Sequence, residues 1–317
     1  MLNKMEDVKA GKETWIEIAI SSPPELVESL ANFMTELGSE GIYQEEEVDP
    51  RDLSELEPTI REELKAYLSA ASPWQDSLSK LKGYIEDLSE LFPHLKPPDF
   101  TVKTISDPDW GEQWKKYFKP LRIHKNIVIK PTWERYTASG RDIVIEIDPG
   151  MAFGTGQHSS TRMCLEALED ILLRDRTIRN WRVLDAGTGT GILGICCAKL
   201  GAAKVTGVDI DPLAVEIARK NVVINHVGDR VEVVKQDVGK FKGKFDLIVA
   251  NLNAEPLIKL RSHLISMMEP GAYLIISGII EQSTDSIEKK FLKDPLITQN
   301  ILRDKEWVCY VLKRSRI

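Results

Sequence analysis

No apolar run in the 317 residues approaches the roughly 20 needed to span a bilayer, so a membrane protein of the helical kind is not expected. The N-terminal stretch MLNKMEDVKAGKE is charged and lacks the apolar centre of a secretory signal. The expected location is the cytoplasm. Cysteine is scarce: four residues, with Cys196 and Cys197 adjacent, Cys164 and Cys309 alone, and no CxxC pair. That pattern argues against a disulfide framework or a zinc site and predicts small core residues. The five histidines (His94, His124, His158, His226, His263) are scattered without ligand spacing, so no metal centre is expected. No Gly-Lys-Ser/Thr follows a glycine loop, which argues against a nucleotide P-loop.

The remaining composition is that of a globular protein, 42% hydrophobic and 29% charged. The length suggests two domains. The net charge of −7 conceals an asymmetry. Residues 1–106 carry 10 Lys+Arg against 22 Asp+Glu, and residues 107–317 carry 32 against 27. One region is thus strongly acidic and the other mildly basic. The acidic region is a solvated surface or a domain that attracts a basic partner. It would repel the phosphates of a nucleic acid.

Residues 14–20 alternate in the manner of a strand. Residues 25–37 place Leu26, Val27, Leu30, Phe33, Met34 and Leu37 at helical spacing. A short strand follows at Gly41, and residues 60–68 allow a strand or a helix. A helix begins after Pro73, and a last strand spans residues 100–105. The order β-α-β-β-α-β predicts a ferredoxin-like α+β domain over residues 1–106, read as a recognition module. Residues 107–136 read as a connecting segment with three tryptophans (Trp110, Trp114, Trp133), which pack a domain junction or line a groove. Residues 137–317 read as a second domain: a strand at 143–147 and a helix from Ser159 come first, and from Trp181 onward strands and helices alternate, ending in two strands joined by Arg303-Asp304-Lys305-Glu306. That predicts a seven-stranded, doubly wound α/β sheet closed by an antiparallel hairpin.

The chemistry concentrates in Trp181-Arg-Val-Leu-Asp185-Ala-Gly187-Thr-Gly189-Thr-Gly191, an apolar strand, an acid and a glycine turn opening a helix. Asp209 closes the next strand, 22 residues after Gly187, where a carboxylate can accept ribose hydroxyls. A literal GxGxxG begins at Gly189, but the register Asp185-x-Gly187-x-Gly189-x-Gly191 is the natural one. A carboxylate at Asp185 is awkward beside a pyrophosphate and suits an ammonium group. The ligand indicated is S-adenosylmethionine rather than a dinucleotide. Asp237, ending the third strand, is a contact to adenine or a helix cap. Asn251, at the end of the fourth strand, faces the crevice where open parallel sheets place their chemistry, or caps the next helix. The sequence there is not Asn-Pro-Pro-Tyr/Phe, which points to a flexible aliphatic amine as acceptor.

These residues closely resemble one family, the ribosomal-protein L-eleven methyltransferases (PrmA), within the class I methyltransferases. The resemblance rests on Asp107-Pro-Asp-Trp110 with Trp114 and Lys115; Ile129-Lys-Pro-Thr-Trp133; Asp148-Pro-Gly-Met-Ala-Phe-Gly-Thr-Gly-Gln-His158; the glycine turn; Gly207-Val-Asp209-Ile-Asp211-Pro212; and Asn251-Leu-Asn-Ala-Glu-Pro256. It implies methylation of lysine side chains and the N-terminal amine of a large-subunit ribosomal protein. Cofactor contacts carried over by position fall on Thr161, Gly187, Asp209 and Asn251, to which the residue reading adds Asp185 and Gly189. The family often has His-Pro-Thr-Thr where this chain has His158-Ser-Ser-Thr161. The catalytic half alone also fits methylation of another protein lysine, an RNA or a small-molecule amine, and leaves direct RNA contact open.

Overall fold

The computed structural model describes residues 14–39, 41–45, 61–93, 95–105, 119–148, 156, 158–175, 178 and 180–316. Trp110, Trp114 and all of the loop at 149–157 except Gly156 lie outside the described residues. The chain divides into two compact units, Met1–Tyr117 and Phe118–Ile317.

The first unit holds β1 (Trp15–Ser22), α1 (Pro24–Glu36), β2 (Gly41–Glu45), β3 (Glu62–Ser69), α2 (Trp74–Leu91) and β4 (Asp99–Ile105). Its antiparallel sheet has the order β2-β3-β1-β4, the ferredoxin-like arrangement expected. The segment that allowed either a strand or a helix is a strand. Its register sets Leu64 opposite Ile20, Ala66 opposite Ile18 and Leu68 opposite Ile16. Those residues are buried with Leu30 and Met34 of α1 and Leu81 and Leu88 of α2. A period of two therefore prevails over helical composition, because only that period turns Leu64, Ala66 and Leu68 to one face.

The second unit begins with three short strands, β5 (Leu121–Arg122), β6 (Ile127–Lys130) and β7 (Ile143–Glu146), forming a sheet of their own. Part of the segment read as connecting thus belongs to this unit. Ile127, Ile129 and Ile145 are buried in the same core as the helix that follows, α3 (Ser159–Arg174). Glu169 of α3, 1% exposed, accepts from the backbone N–H and side-chain amide of Asn126 at 3.1 and 2.5 Å.

The main sheet follows: β8 (Arg182–Ala186), α4 (Ile192–Lys199), β9 (Lys204–Asp209), α5 (Pro212–Ile224), β10 (Val231–Lys235), β11 (Phe245–Asn251), α6 (Ala254–Met267), β12 (Met268–Ile280), α7 (Thr284–Phe291), β13 (Leu296–Asp304) and β14 (Trp307–Arg314). The strand order is β10-β9-β8-β11-β12-β14-β13. β14 runs antiparallel to both its neighbours, and the other pairings are parallel. This is the seven-stranded class I methyltransferase plan.

Two hydrophobic cores cover the two faces of the sheet. One joins α3, α4 and α5, the other α6 and α7. All four cysteines are buried free thiols within the first of these cores. Chain order reverses direction between β8 and β11, which opens a crevice at the carboxyl ends of those strands. No described helix is long and apolar enough to cross a membrane.

Candidate cofactor and amine site

The crevice is floored by the turn from β8 to α4. Gly187, Gly189 and Gly191 take φ of 74°, 54° and 82°, a region glycine enters without strain. The N–H groups of Gly187 and Thr188 donate to the Val208 carbonyl at 2.8 and 3.1 Å, stitching the turn to β9. A Cβ at Gly187 would lie 2.5 Å from Leu252 Cδ2, the end of a side chain that can shift, so the positive φ rather than room is what calls for glycine here. At Gly191 the helix begins, and its backbone N–H donates to the Thr188 carbonyl at 2.8 Å.

Asp209, at the end of β9, fixes the turn from above. Its Oδ2 accepts from the Gly189 N–H at 2.9 Å and its Oδ1 from the Asp211 N–H at 3.0 Å. Each oxygen retains a lone pair for a hydroxyl donor. Ile210 beside it is 69% exposed, an apolar surface next to the carboxylate. Asp237 accepts from the Gly239 N–H at 2.8 Å and caps a short 3-10 turn, the capping alternative read from the sequence.

Asp185 lies beneath the turn and is fully buried. Its Oδ2 accepts from Thr188 Oγ1 at 2.6 Å and the Gly194 N–H at 2.9 Å. Its Oδ1 is buried with no partner. Burial pushes the carboxyl up to about 7, against the opposing pull of those two hydrogen bonds.

Asn251 ends β11. It is not the cap of α6, whose first turn follows Asn253. Its Nδ2 donates to Thr161 Oγ1 at 3.3 Å, joining two residues 90 positions apart. Its Oδ1, like Asp185 Oδ1, is a buried acceptor without a partner. Gly278 stands behind it with φ of 78°, and a Cβ there would meet the Leu252 carbonyl at 2.8 Å and Asn251 Oδ1 at 3.0 Å.

Thr161 sits in the first turn of α3, whose start is built by His158. The imidazole Nδ1 lies 2.8 Å from Ser160 Oγ and accepts from the Ser160 N–H at 3.3 Å. The ring meets Trp307 edge-on at 4.6 Å between centroids. Burial, with the charges of Arg162 and Lys305, lowers the imidazole to about 4, so it is neutral at physiological pH. Ser277 Oγ donates to the Ser160 carbonyl at 3.2 Å, tying the same turn to β12. Arg162 binds Asp304 at 2.6 Å.

The structure therefore brings Thr161 to Asn251, and Asp209 to Gly189, with Gly187 and Asp185 in the same turn. Sequence reasoning missed Thr188, Arg162, Ser277, Gly278, Asp304 and Trp307. Thr188 could have been found, since it lies inside the glycine turn; Arg162 lies on α3 and the others on β12, β13 and β14, and no local pattern reveals that these elements meet.

Two of these features bear on the ligand. The unpartnered buried oxygens, one carboxylate and one amide, are both acceptors and fit a ligand that brings N–H donors, as the methionine ammonium of S-adenosylmethionine does. Asp209 fits ribose hydroxyls. Among the described residues no group of three or more His, Cys, Asp or Glu could hold a metal ion.

The sequence profile of the family Ribosomal protein L11 methyltransferase (PrmA) matches residues 14–315. The chain belongs to that family. It is 37% identical over 302 residues to the ribosomal protein L11 methyltransferase of Pelobacter propionicus, covering 95% of this chain and 98% of the relative. The enzyme of the same name from Geobacter sp. is 39% identical over 308 residues, with 95% and 98% covered. Among solved structures, the ribosomal protein L11 methylase of Lactobacillus delbrueckii subsp. bulgaricus superposes with a TM-score of 0.57 at 30% identity. It matches 62% of this chain and all of that one. Membership makes the chain a methyltransferase, on a sheet whose crevice carries the turn, the acids and the amide expected from the sequence.

Proposed function

We propose that this chain transfers methyl groups from S-adenosylmethionine to lysine side chains, the N-terminal amine, or both, of ribosomal protein L11. The observation that carries the proposal is the Asn251 amide, oriented by Thr161 and left with a free, buried Oδ1 at the carboxyl end of β11. An acceptor fixed there can orient an N–H donor and hold it in one direction. The names of the relatives and the family support the choice of protein substrate. The acid-rich sequence of the first 106 residues, at 10 Lys+Arg against 22 Asp+Glu, suits a basic partner. A ribosomal substrate puts the reaction in the cytoplasm.

Asp185 and Gly187 would hold the methionine end of the cofactor, and Asp209 its ribose. When bound, the cofactor supplies a methyl group already activated by its sulfonium. The residues of the chain need only align an amine and exclude water. A lysine amine, with an ordinary pKa near ~10.4, must lose its proton before attack. Desolvation in the crevice favours that loss. His158 does not take the proton: its Nδ1 is engaged by Ser160, and its basicity is depressed to about 4. The proton leaves to solvent.

The test is incubation of the purified chain with radiolabelled cofactor and purified ribosomal proteins. Label on L11, with mass increments of a methyl group on lysine or the N-terminus, is the expected result. Label on RNA or a small amine with none on protein refutes the assignment.

A further inference from the structure

The first turn of α3 carries Thr161, and one residue further on it carries Arg162, which points the other way into an ion pair. Arg162 Nη2 lies 2.6 Å from Asp304 Oδ2 and 3.3 Å from Ser159 Oγ. Asp304 is the last residue of β13, at the tip of the closing hairpin, and pairs across the hairpin with Trp307. Trp307 in turn meets His158, the cap of the same helix. The hairpin tip is thus fastened to the start of α3 twice, through an ion pair and through an aromatic contact. A further link runs from the hairpin to the turn that follows β12: the Glu306 carbonyl accepts from the Glu281 N–H at 2.8 Å. Burial opposes ionisation of Asp304, but hydrogen bonds from Ser159 and Arg162 outweigh it and keep the carboxyl below the usual range.

Thr161 is a short side chain whose only hold on Asn251 is one bond of 3.3 Å. A small shift of the helix start breaks it. Both side chains of the ion pair are about one-third exposed, at 36% and 35%. Such a pair adds little to global stability. Its placement beside Thr161 gives it a different use.

We infer that Arg162 and Asp304 are a positioning pair that holds the first turn of α3 against the closing hairpin, and thereby holds Thr161 on Asn251 for cofactor binding. This rests on the cofactor reading above. The pair has a positional role: its hydrogen bonds run to Ser159 and across to the hairpin. It acts through the helix start, so its loss loosens the site without unfolding the sheet.

The experiment measures S-adenosylmethionine affinity by calorimetry, together with KM, kcat and thermal midpoint. The chains compared are the wild type, Arg162→Met, Asp304→Asn, Arg162→Lys and the exchange Arg162→Asp/Asp304→Arg. The expected result is a three- to tenfold loss of affinity and matching rise in cofactor KM in the first two variants. Their kcat stays within twofold and their midpoints within a few degrees of wild type. Arg162→Lys, which keeps the charge, recovers most of the loss, and the exchange recovers part. Raising the salt concentration weakens cofactor binding by the wild type more than by Asp304→Asn, because salt screens the pair only where it exists. Unchanged affinity in Arg162→Met and Asp304→Asn, with normal wild-type binding, overturns the inference alone. So does a parallel fall of affinity, kcat and midpoint with no rescue by lysine, the mark of a purely structural role. Failure of the wild type to bind the cofactor overturns both this inference and the proposed function.

Discussion

Replacing Asp185 by Asn should move stability and cofactor binding in opposite directions. The carboxyl is fully buried and its pKa stands at about 7. In the unfolded chain it is about 3.9. The folded chain therefore holds a proton on Asp185 across the interval from about pH 4 to about pH 7, where the unfolded chain has lost it. Stability from this group is full below about pH 4, falls as pH rises, and levels off above about pH 7. The difference of about three units corresponds to roughly 4 kcal/mol of destabilisation at pH 7.5 in the cofactor-free chain. Asn removes that charge cost and can still accept from Thr188 Oγ1 and the Gly194 N–H through its carbonyl.

The new amide puts a donor where Oδ1 now lies unpartnered, at a cost of about 1–3 kcal/mol. The net gain is about 1–3 kcal/mol, a rise in thermal midpoint of about 2–12 °C for a unit of this size. At pH 4 the gain disappears, since Asp185 is then neutral in the folded chain and leaves no buried charge for Asn to remove. Cofactor affinity moves the other way, falling about 10- to 100-fold if, as proposed, this carboxylate faces the ammonium group of the cofactor. Melting curves at pH 4 and 7.5, with calorimetric titration of S-adenosylmethionine, provide the check. A lower midpoint at pH 7.5 together with unchanged affinity would refute the reasoning.

For the wild type, cofactor affinity should decline as pH falls through about 7, where protonation of Asp185 competes with the ammonium group; the Asp185→Asn chain should show a flat profile over the same range. Asn251→Ala should cut methyl transfer at sub-saturating cofactor by about 100-fold, as expected if the amide holds the cofactor as proposed, while shifting the midpoint by less than about 2 °C. The reason is that it gives up only one long hydrogen bond, Nδ2 to Thr161 Oγ1 at 3.3 Å, while its Oδ1 has no partner to lose in the cofactor-free chain. Gly278→Ala should destabilise by about 1–3 kcal/mol and lower activity at least tenfold, because φ is 78° and the new Cβ would press on the Leu252 carbonyl and Asn251 Oδ1. None of the four buried cysteines should react with a thiol reagent in the native state, and all four should react in denaturant, as a colorimetric thiol count would show.

The doubly wound sheet was legible because most of its strands carry apolar residues bounded by turn residues, and the glycine turn carries its own acid; β13, largely polar and exposed, was legible only through its short turn to β14. The ferredoxin-like unit was legible from alternation in β1 and helical spacing in α1. The segment from Ile60 needed its partner: only pairing with β1 shows that Leu64, Ala66 and Leu68 face one core. At the site, Asp185, Gly187, Gly189 and Asp209 lie within one strand-turn-helix-strand unit, so spacing alone could place them. Thr161 and Asn251 are 90 residues apart, and their meeting depends on α3 packing across the sheet. Trp307 and Asp304 were unreadable for the same reason. Nothing near them in sequence marks the tip of a hairpin as the neighbour of His158 and Arg162.

The place of β14 has a consequence for how the protein is made. It is the last of the described strands but an interior strand of the sheet, between β12 and β13. Synthesis delivers residues from the N-terminus onward, so β12 and β13 both leave the ribosome before the strand that joins them. Until Trp307–Arg314 arrives, β12 lacks its antiparallel partner, and the buried residues Leu274 and Ile276 flank an open edge. The growing catalytic unit is then most exposed to mispairing, through a ladder of unmet N–H and C=O groups. A nascent chain stalled after Asp304 should bind chaperones that the finished one does not, and a premature stop there should yield aggregates rather than a weakened enzyme.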